Sequence, residues 1–114
     1  MATKIDSLNV KLTELQETIL CELNATTDQQ IICKKMHLKP VTLSKTLSLL
    51  SNKNLLNENK LTEQGKKMVN YIIFRNTTIL DFLNKNNINP SNEIIKQMKS
   101  LDLKIIIALK NALV

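Results

Sequence analysis

Gln29 to Lys53 reads QQIICKKMHLKPVTLSKTLSLLSNK, and the fold turns on how that stretch is divided. Apolar residues recur at helical spacing on either side of His37-Leu38-Lys39, which predicts two short helices joined by a tight turn. The first carries Ile32, Cys33 and Met36; the second opens with Pro40 and carries Leu43, Leu47 and Leu50. Ile32, Met36, Leu38, Leu43, Leu47 and Leu50 can share one side and close a small core. Pro40 suits a first helical turn, where its missing N–H has no partner in any case. Cys33 is small enough for the point where the two helices cross, so it is expected to face inward.

The surface left on the second helix is Thr42, Ser44, Lys45, Thr46 and Ser48. These side chains are short, hydroxyl-bearing and basic, with no carboxylate among them. That combination suits the phosphate backbone and base edges of duplex DNA. Lys34, Lys35, Lys39 and Lys53 would then lie along the phosphates, and Lys60 would touch the backbone or the minor groove.

Charge agrees with that expectation. The 114 residues carry a formal net charge of +6, and this length is that of one domain. Eight lysines and three acids fall between Asp28 and Lys67, a local excess of five positive charges. A locally basic domain favours a polyanion, nucleic acid before membrane; the plainer alternative is a lysine-rich, well-solvated surface. One glycine and two prolines argue against many strands and turns, and 3% aromatic residues are too few for a platform that stacks single-stranded bases. Cys21 and Cys33 have no metal-ligand spacing and fall in predicted helices. With no secretory leader and no apolar run of spanning length, the expectation is a soluble, reduced, cytoplasmic protein with no membrane partner.

Taken in order, Met1 to Asp6 reads as a frayed lead. Leu8, Leu12, Leu15, Ile19 and Leu23 predict an amphipathic helix over about 8–23. Thr26 or Thr27 is expected to cap the helix after it. Leu55 to Thr62, LLNENKLT, predicts a small β-hairpin with Asn59 near its turn, an irregular loop being the alternative. Thr62 is expected to cap a long helix over 63–86. After a polar break, Asn89 is expected to cap and Pro90 to start a helix carrying Ile94, Ile95 and Met98. Ser100 would start a last helix, Leu101 to Val114; the Ile105-Ile106-Ile107 run alone would suit a strand, but Ala108 to Leu113 favours helix. No internal repeat is present. Residues 1–62 would hold the first helix, the helix pair and the hairpin, and residues 63–114 the long helix and the C-terminal helices, all in one compact domain.

Two phrases carry a resemblance. Leu38-Lys39-Pro40-Val41-Thr42-Leu43-Ser44-Lys45 looks like the turn and recognition-helix start of the winged-helix bacterial and archaeal transcription regulators, a helix-turn-helix pattern. His37 stands where such families often carry Gly, and His is among the side chains that tolerate a positive φ. Leu61-Thr62-Glu63-Gln64-Gly65-Lys66-Lys67 resembles the leucine-threonine-x-x-glycine-lysine phrase that follows the wing in the MarR and DtxR/MntR regulators. Gly65 early in a helix costs stability, so close packing against a neighbour is expected to offset it. The resemblance covers about residues 8–83 and fades after Pro90. It implies a mainly α, winged helix-turn-helix fold with a short β-hairpin wing and additional C-terminal helices. It also implies a homodimer that binds double-stranded DNA and acts as a repressor by occluding a promoter.

From Leu61 to Leu83, including Arg75 and Asp81-Phe82-Leu83, the chain looks like the DtxR/MntR metal-dependent repressors. Those families carry a metal-binding His immediately after that Arg, where this chain has Asn76. Their later Glu-x-x-Glu-His cluster aligns, without gaps, with Met98, Leu101 and Asp102. A metal switch needs several converging N, O or S ligands, so no metal is expected.

Catalysis is not expected either. The chain has one His, no Ser-His-Asp arrangement, no glycine-rich phosphate loop and no paired carboxylates in a motif, and no cofactor is implied. Both cysteines read as buried small hydrophobes and His37 as a turn residue. The long and C-terminal helices carry more apolar surface than one face needs. Ile72, Ile79, Phe82, Ile106, Leu109 and Leu113 are expected to pair two chains, closure of the chain's own core being the other reading. Two further function classes stay open: a winged helix that docks on proteins without binding DNA, and a regulator that responds to a ligand or to oxidation.

Overall fold

The computed structural model describes residues 11–113. They are mainly helical, with a small two-stranded antiparallel sheet. In chain order the elements are α1 (Glu14–Ala25), α2 (Gln29–Met36), α3 (Pro40–Asn52), β1 (Leu56–Asn57), β2 (Lys60–Leu61), α4 (Glu63–Lys85), α5 (Asn92–Lys99) and α6 (Leu103–Ala112). The chain divides into two compact units, the first ending at Asn70 and the second beginning at Tyr71, so the division falls within α4. No helix among the described residues is long and apolar enough to cross a membrane.

The helix starts follow from local side-chain chemistry. Thr13 caps α1 in a reciprocal box: its hydroxyl accepts from Gln16 N at 3.1 Å, and Gln16 Oε1 accepts from Thr13 N at 3.0 Å. The part of the expected first helix before residue 11, and the expected frayed lead, lie outside the described residues. Asp28, not Thr26 or Thr27, caps α2, its Oδ1 accepting from Gln30 N at 3.0 Å. Thr26 instead accepts from Asp28 N at 3.1 Å, which sets the capping residue in place. Pro40 begins α3 as expected, behind Lys39 in extended conformation. Ser91 caps α5, accepting from Ile94 N at 3.2 Å, so Asn89 and Pro90 lie outside the helix they were expected to open. Pro90 biases Asn89 toward extended backbone, and the first hydroxyl beyond the proline takes the cap. Ser100 closes α5 instead of opening the last helix.

Three helix ends use a left-handed residue without any glycine. His37 (φ 55°) follows α2, Asn54 (φ 63°) follows α3, and Asn87 (φ 56°) follows α4. In each case the next N–H reaches five residues back: Leu38 to Cys33 O at 2.9 Å, Leu55 to Leu50 O at 3.1 Å, and Ile88 to Leu83 O at 2.8 Å. This arrangement satisfies carbonyls that the end of a helix leaves open.

Within the first unit α1 lies against α3 and β2, and α3 lies against α2 and β1. Its buried apolar residues are Ile19, Leu20 and Leu23 of α1, Ile32 of α2, Leu43, Leu47 and Leu50 of α3, then Leu55, Leu56, Met68 and Val69. Met36 and Leu38, expected in the same core, are only half-buried, as are Cys21 and Cys33.

The second unit is built on Ile79, Leu83 and Ile106, with Phe74, Phe82, Ile94, Ile95, Met98, Leu101 and Leu109 packed against them. This corrects the expected pairing surface at Ile72, Ile79 and Ile106. Ile72, Ile79 and Ile106 are at most 2% exposed within the single chain, Phe82 and Leu109 pack on that core, and Leu113 is half-buried. A small unit has little apolar area to spare, and its own core claims Ile79 and Ile106 first.

Candidate nucleic-acid interface

The turn of chain between α3 and α4 is held by one threonine. Thr62 Oγ1 donates to Asn54 O at 2.7 Å and accepts from Gly65 N at 3.0 Å, while Thr62 N donates to Leu55 O at 3.1 Å. Thr62 thus caps α4, as expected, and also ties that cap to the segment leaving α3. A Cβ on Gly65 would run into the carbonyl oxygen of Leu55 and come within 3.2 Å of Leu61 Cδ2. The glycine is therefore there for close packing, as its place early in a helix suggested.

Between these anchors stands the hairpin. Leu56 pairs with Leu61 and Asn57 with Lys60, leaving Glu58-Asn59 as a two-residue loop. Both loop residues have positive φ, 51° and 61°, the backbone that a tight hairpin turn requires. The anchors fix the base of the hairpin relative to α3.

Facing the hairpin tip is a shallow depression of about 350 Å³ lined by Gln29 of α2, Ser44, Leu47, Ser48, Ser51 and Asn52 of α3, and Asn59 of the loop. Its polar lining is made of hydroxyls and amides, with no charged group. Leu43, Thr46, Leu47 and Leu50 are the buried side of α3, so Val41, Ser44, Lys45, Ser48, Leu49 and Asn52 are left exposed.

The expected site residues separate accordingly. Ser44, Lys45 and Ser48 are exposed on α3, with Lys39 exposed just before it and Lys60 exposed on β2. Thr42 is half-buried, and its carbonyl oxygen accepts from Thr46 Oγ1 at 3.0 Å. Thr46 is a correction: only 5% exposed, it faces the core and cannot reach a groove. The helical period puts it three residues beyond Leu43, on the buried side. Lys34 and Lys35 lie at the exposed end of α2, where Lys35 pairs with Glu22 of α1 at 3.0 Å. Lys53 is half-buried, its Nζ donating to Lys11 O at 3.3 Å.

Gln29 and Asn59 were not anticipated, because they meet α3 only through the tertiary fold, whereas Asn52, at the end of α3, reads from sequence only as part of a polar stop. Val41 is exposed one turn before Lys45, on the same side of α3. In the second unit, Arg75 is buried. Its Nε and Nη2 donate to Asn76 Oδ1 at 3.1 and 3.0 Å, and its guanidinium lies 5.9 Å from the Tyr71 ring centre. Asn76 thus accepts from an arginine at the position where a metal-binding His would stand in the resembled repressors. Among the described residues no three His, Cys, Asp or Glu side chains are grouped so as to hold a metal ion. No protein-family model, curated protein or solved structure matches the chain.

Proposed function

We propose that the protein is a winged helix-turn-helix transcription regulator that binds double-stranded DNA sequence-specifically, with α3 as its recognition helix and the β1–β2 hairpin as its wing. The observation that carries this reading is the outward face of α3. Ser44, Lys45 and Ser48 are exposed together, no acid lies on the helix, and the hairpin tip meets the same surface at Asn59. An exposed helix with short polar side chains can lie in a major groove, and the cations around it would neutralise phosphates. Lys39 and Lys60 stand on either side of that helix in the chain. Lys35 contributes less, because Glu22 already neutralises it.

Repression would be steric, a bound dimer covering a promoter. Pairing of two copies would rest on apolar side chains that the second unit leaves outside, Ile73 and Leu80 on α4 and Ile105 and Ile107 on α6. These replace Ile72, Ile79 and Ile106, which the fold buries. Two recognition helices a helical turn apart would read a palindromic site.

The test is duplex binding against salt, for the intact protein and for Lys45→Glu. The parent should lose affinity steeply, with a log–log slope of about −0.9 per neutralised phosphate. Lys45→Glu should bind at least about tenfold more weakly while keeping its helical circular dichroism. If the parent fails to bind duplex DNA at low salt, or Lys45→Glu binds like the parent, the reading is wrong. One observation favours a protein-docking module instead: Ile31, Val41 and Leu49 of the first unit are apolar and exposed. Such a module would give no salt-dependent retention on duplex DNA.

A further inference from the structure

Val41 is the most exposed of the large hydrophobic residues on the described surface, at 64%. It is the second residue of α3, and helical spacing sets it one turn before Lys45 and three residues before Ser44. An apolar side chain at that position has no folding role to perform. Leu43, Leu47 and Leu50 already supply the buried side of the helix. Resting on the reading of α3 as a recognition helix, we infer that Val41 is a base-reading residue that contacts the 5-methyl group of thymine in the major groove.

The argument is one of place and chemistry. A recognition helix meets base edges with its N-terminal residues, and Val41, exposed in the first turn beside Pro40, stands at that end. Thymine is the one base whose major-groove edge carries an apolar group, and apolar side chains pair with it. A branched hydrocarbon can neither donate nor accept a hydrogen bond, so it would leave the donors and acceptors of the other base edges unpaired. Ser44 and Lys45, next on the same exposed side, supply hydrogen bonds to the adjoining bases or phosphates. Thr46 cannot take the methyl contact, because it faces the core. The inference therefore gives α3 a mixed code: one apolar contact specifying thymine at the start, then hydroxyl and ammonium contacts along the helix.

The experiment removes the methyl from the DNA. Duplexes are first enriched from a random pool by the intact protein. In the enriched site each thymine is then replaced, one at a time, by deoxyuridine, which differs only in lacking the 5-methyl. Binding should weaken about fourfold at one position per half-site, the effect of withdrawing one methyl from an apolar contact. Val41→Ala should bind the thymine duplex more weakly and should lose the distinction between thymine and deoxyuridine at that position only. Val41 is exposed, so Val41→Ala should keep the parent's unfolding midpoint. Two results overturn the inference while leaving DNA binding intact: no deoxyuridine position matters, or the sensitive position stays equally sensitive in Val41→Ala. Failure to enrich any duplex instead overturns the DNA-binding reading and takes this inference with it.

Discussion

Gly65 lies so close to the carbonyl oxygen of Leu55 that no side chain fits between them. The contact joins the start of α4 to the segment that leaves α3, and so fixes where the hairpin stands. Gly65→Ala should therefore destabilise the protein, against the usual trend. Alanine in a helix is worth about 1 kcal/mol over glycine, whereas overpacking against a fixed neighbour costs about 1–3 kcal/mol. A backbone carbonyl cannot move aside like the end of a side chain, so the upper part of that range applies and a net loss of about 1–2 kcal/mol is expected. Urea unfolding measures it, and a variant more stable than the parent would refute the close approach.

Thr62 supports the same junction through its hydroxyl, giving one hydrogen bond and accepting another. Thr62→Val keeps the shape and removes both bonds, and should cost about 1–2 kcal/mol. Thr62→Ser should stay within about 0.5 kcal/mol of the parent, since serine caps at least as well. If the valine and serine variants unfold at the same urea concentration, the hydroxyl is not what holds the junction.

The hairpin loop places two non-glycine residues in left-handed backbone, Glu58 and Asn59. Asparagine tolerates that conformation and glutamate does so poorly. Replacing the pair by Asn-Gly, the sequence preferred for this turn, should raise stability by about 1 kcal/mol in the same urea measurement. An unchanged or lower midpoint would mean that the loop is not the two-residue turn described here.

Much of this was legible beforehand, and the failures share a physical cause. Helical spacing found α2, α3 and the buried Ile32, Leu43, Leu47 and Leu50, because core residues must repeat with the helix. His37 and Gly65 were legible because each stands where backbone geometry limits the choice of side chain. The hydroxyl of Thr46 suggests an outward side chain, but a threonine can sit in a core when its hydroxyl bonds back to its own helix, here to Thr42 O. Ile72, Ile79 and Ile106 were assigned to a partner because composition shows that apolar area is in surplus but not which part of it folding consumes. Gln29 and Asn59 join the α3 surface from 15 or more residues away from Ser44, a distance no local pattern spans.

Thr46 also yields a test that separates the two sides of α3. Its hydroxyl is satisfied within the helix, so Thr46→Val should change stability by no more than about 1 kcal/mol. Because the side chain faces the core, duplex affinity should stay within about twofold of the parent. Ser48→Glu, on the outward side, should leave the unfolding midpoint nearly unchanged but weaken duplex binding at least about tenfold by setting a carboxylate against phosphate. Equal losses of affinity from the two substitutions would mean that the outward face is not the one that meets DNA.

The exposed residues of the second unit make the dimer a testable claim. Ile73 and Leu80 are 49% and 41% exposed and recur seven residues apart, on one side of α4. Ile73→Glu with Leu80→Glu should leave the helical circular dichroism intact, because neither side chain is part of the buried core. Sedimentation should find the parent as a two-chain species and this double variant as single chains. Duplex affinity should fall with it, since a lone recognition helix forfeits the second half-site. Ile79→Ala serves as the contrast: it leaves a cavity beside Leu83 and Ile106 and should cost about 2–5 kcal/mol of stability. A parent that sediments as a single chain at micromolar concentration removes the dimer from the proposal. A double variant that still pairs moves the interface away from this side of α4.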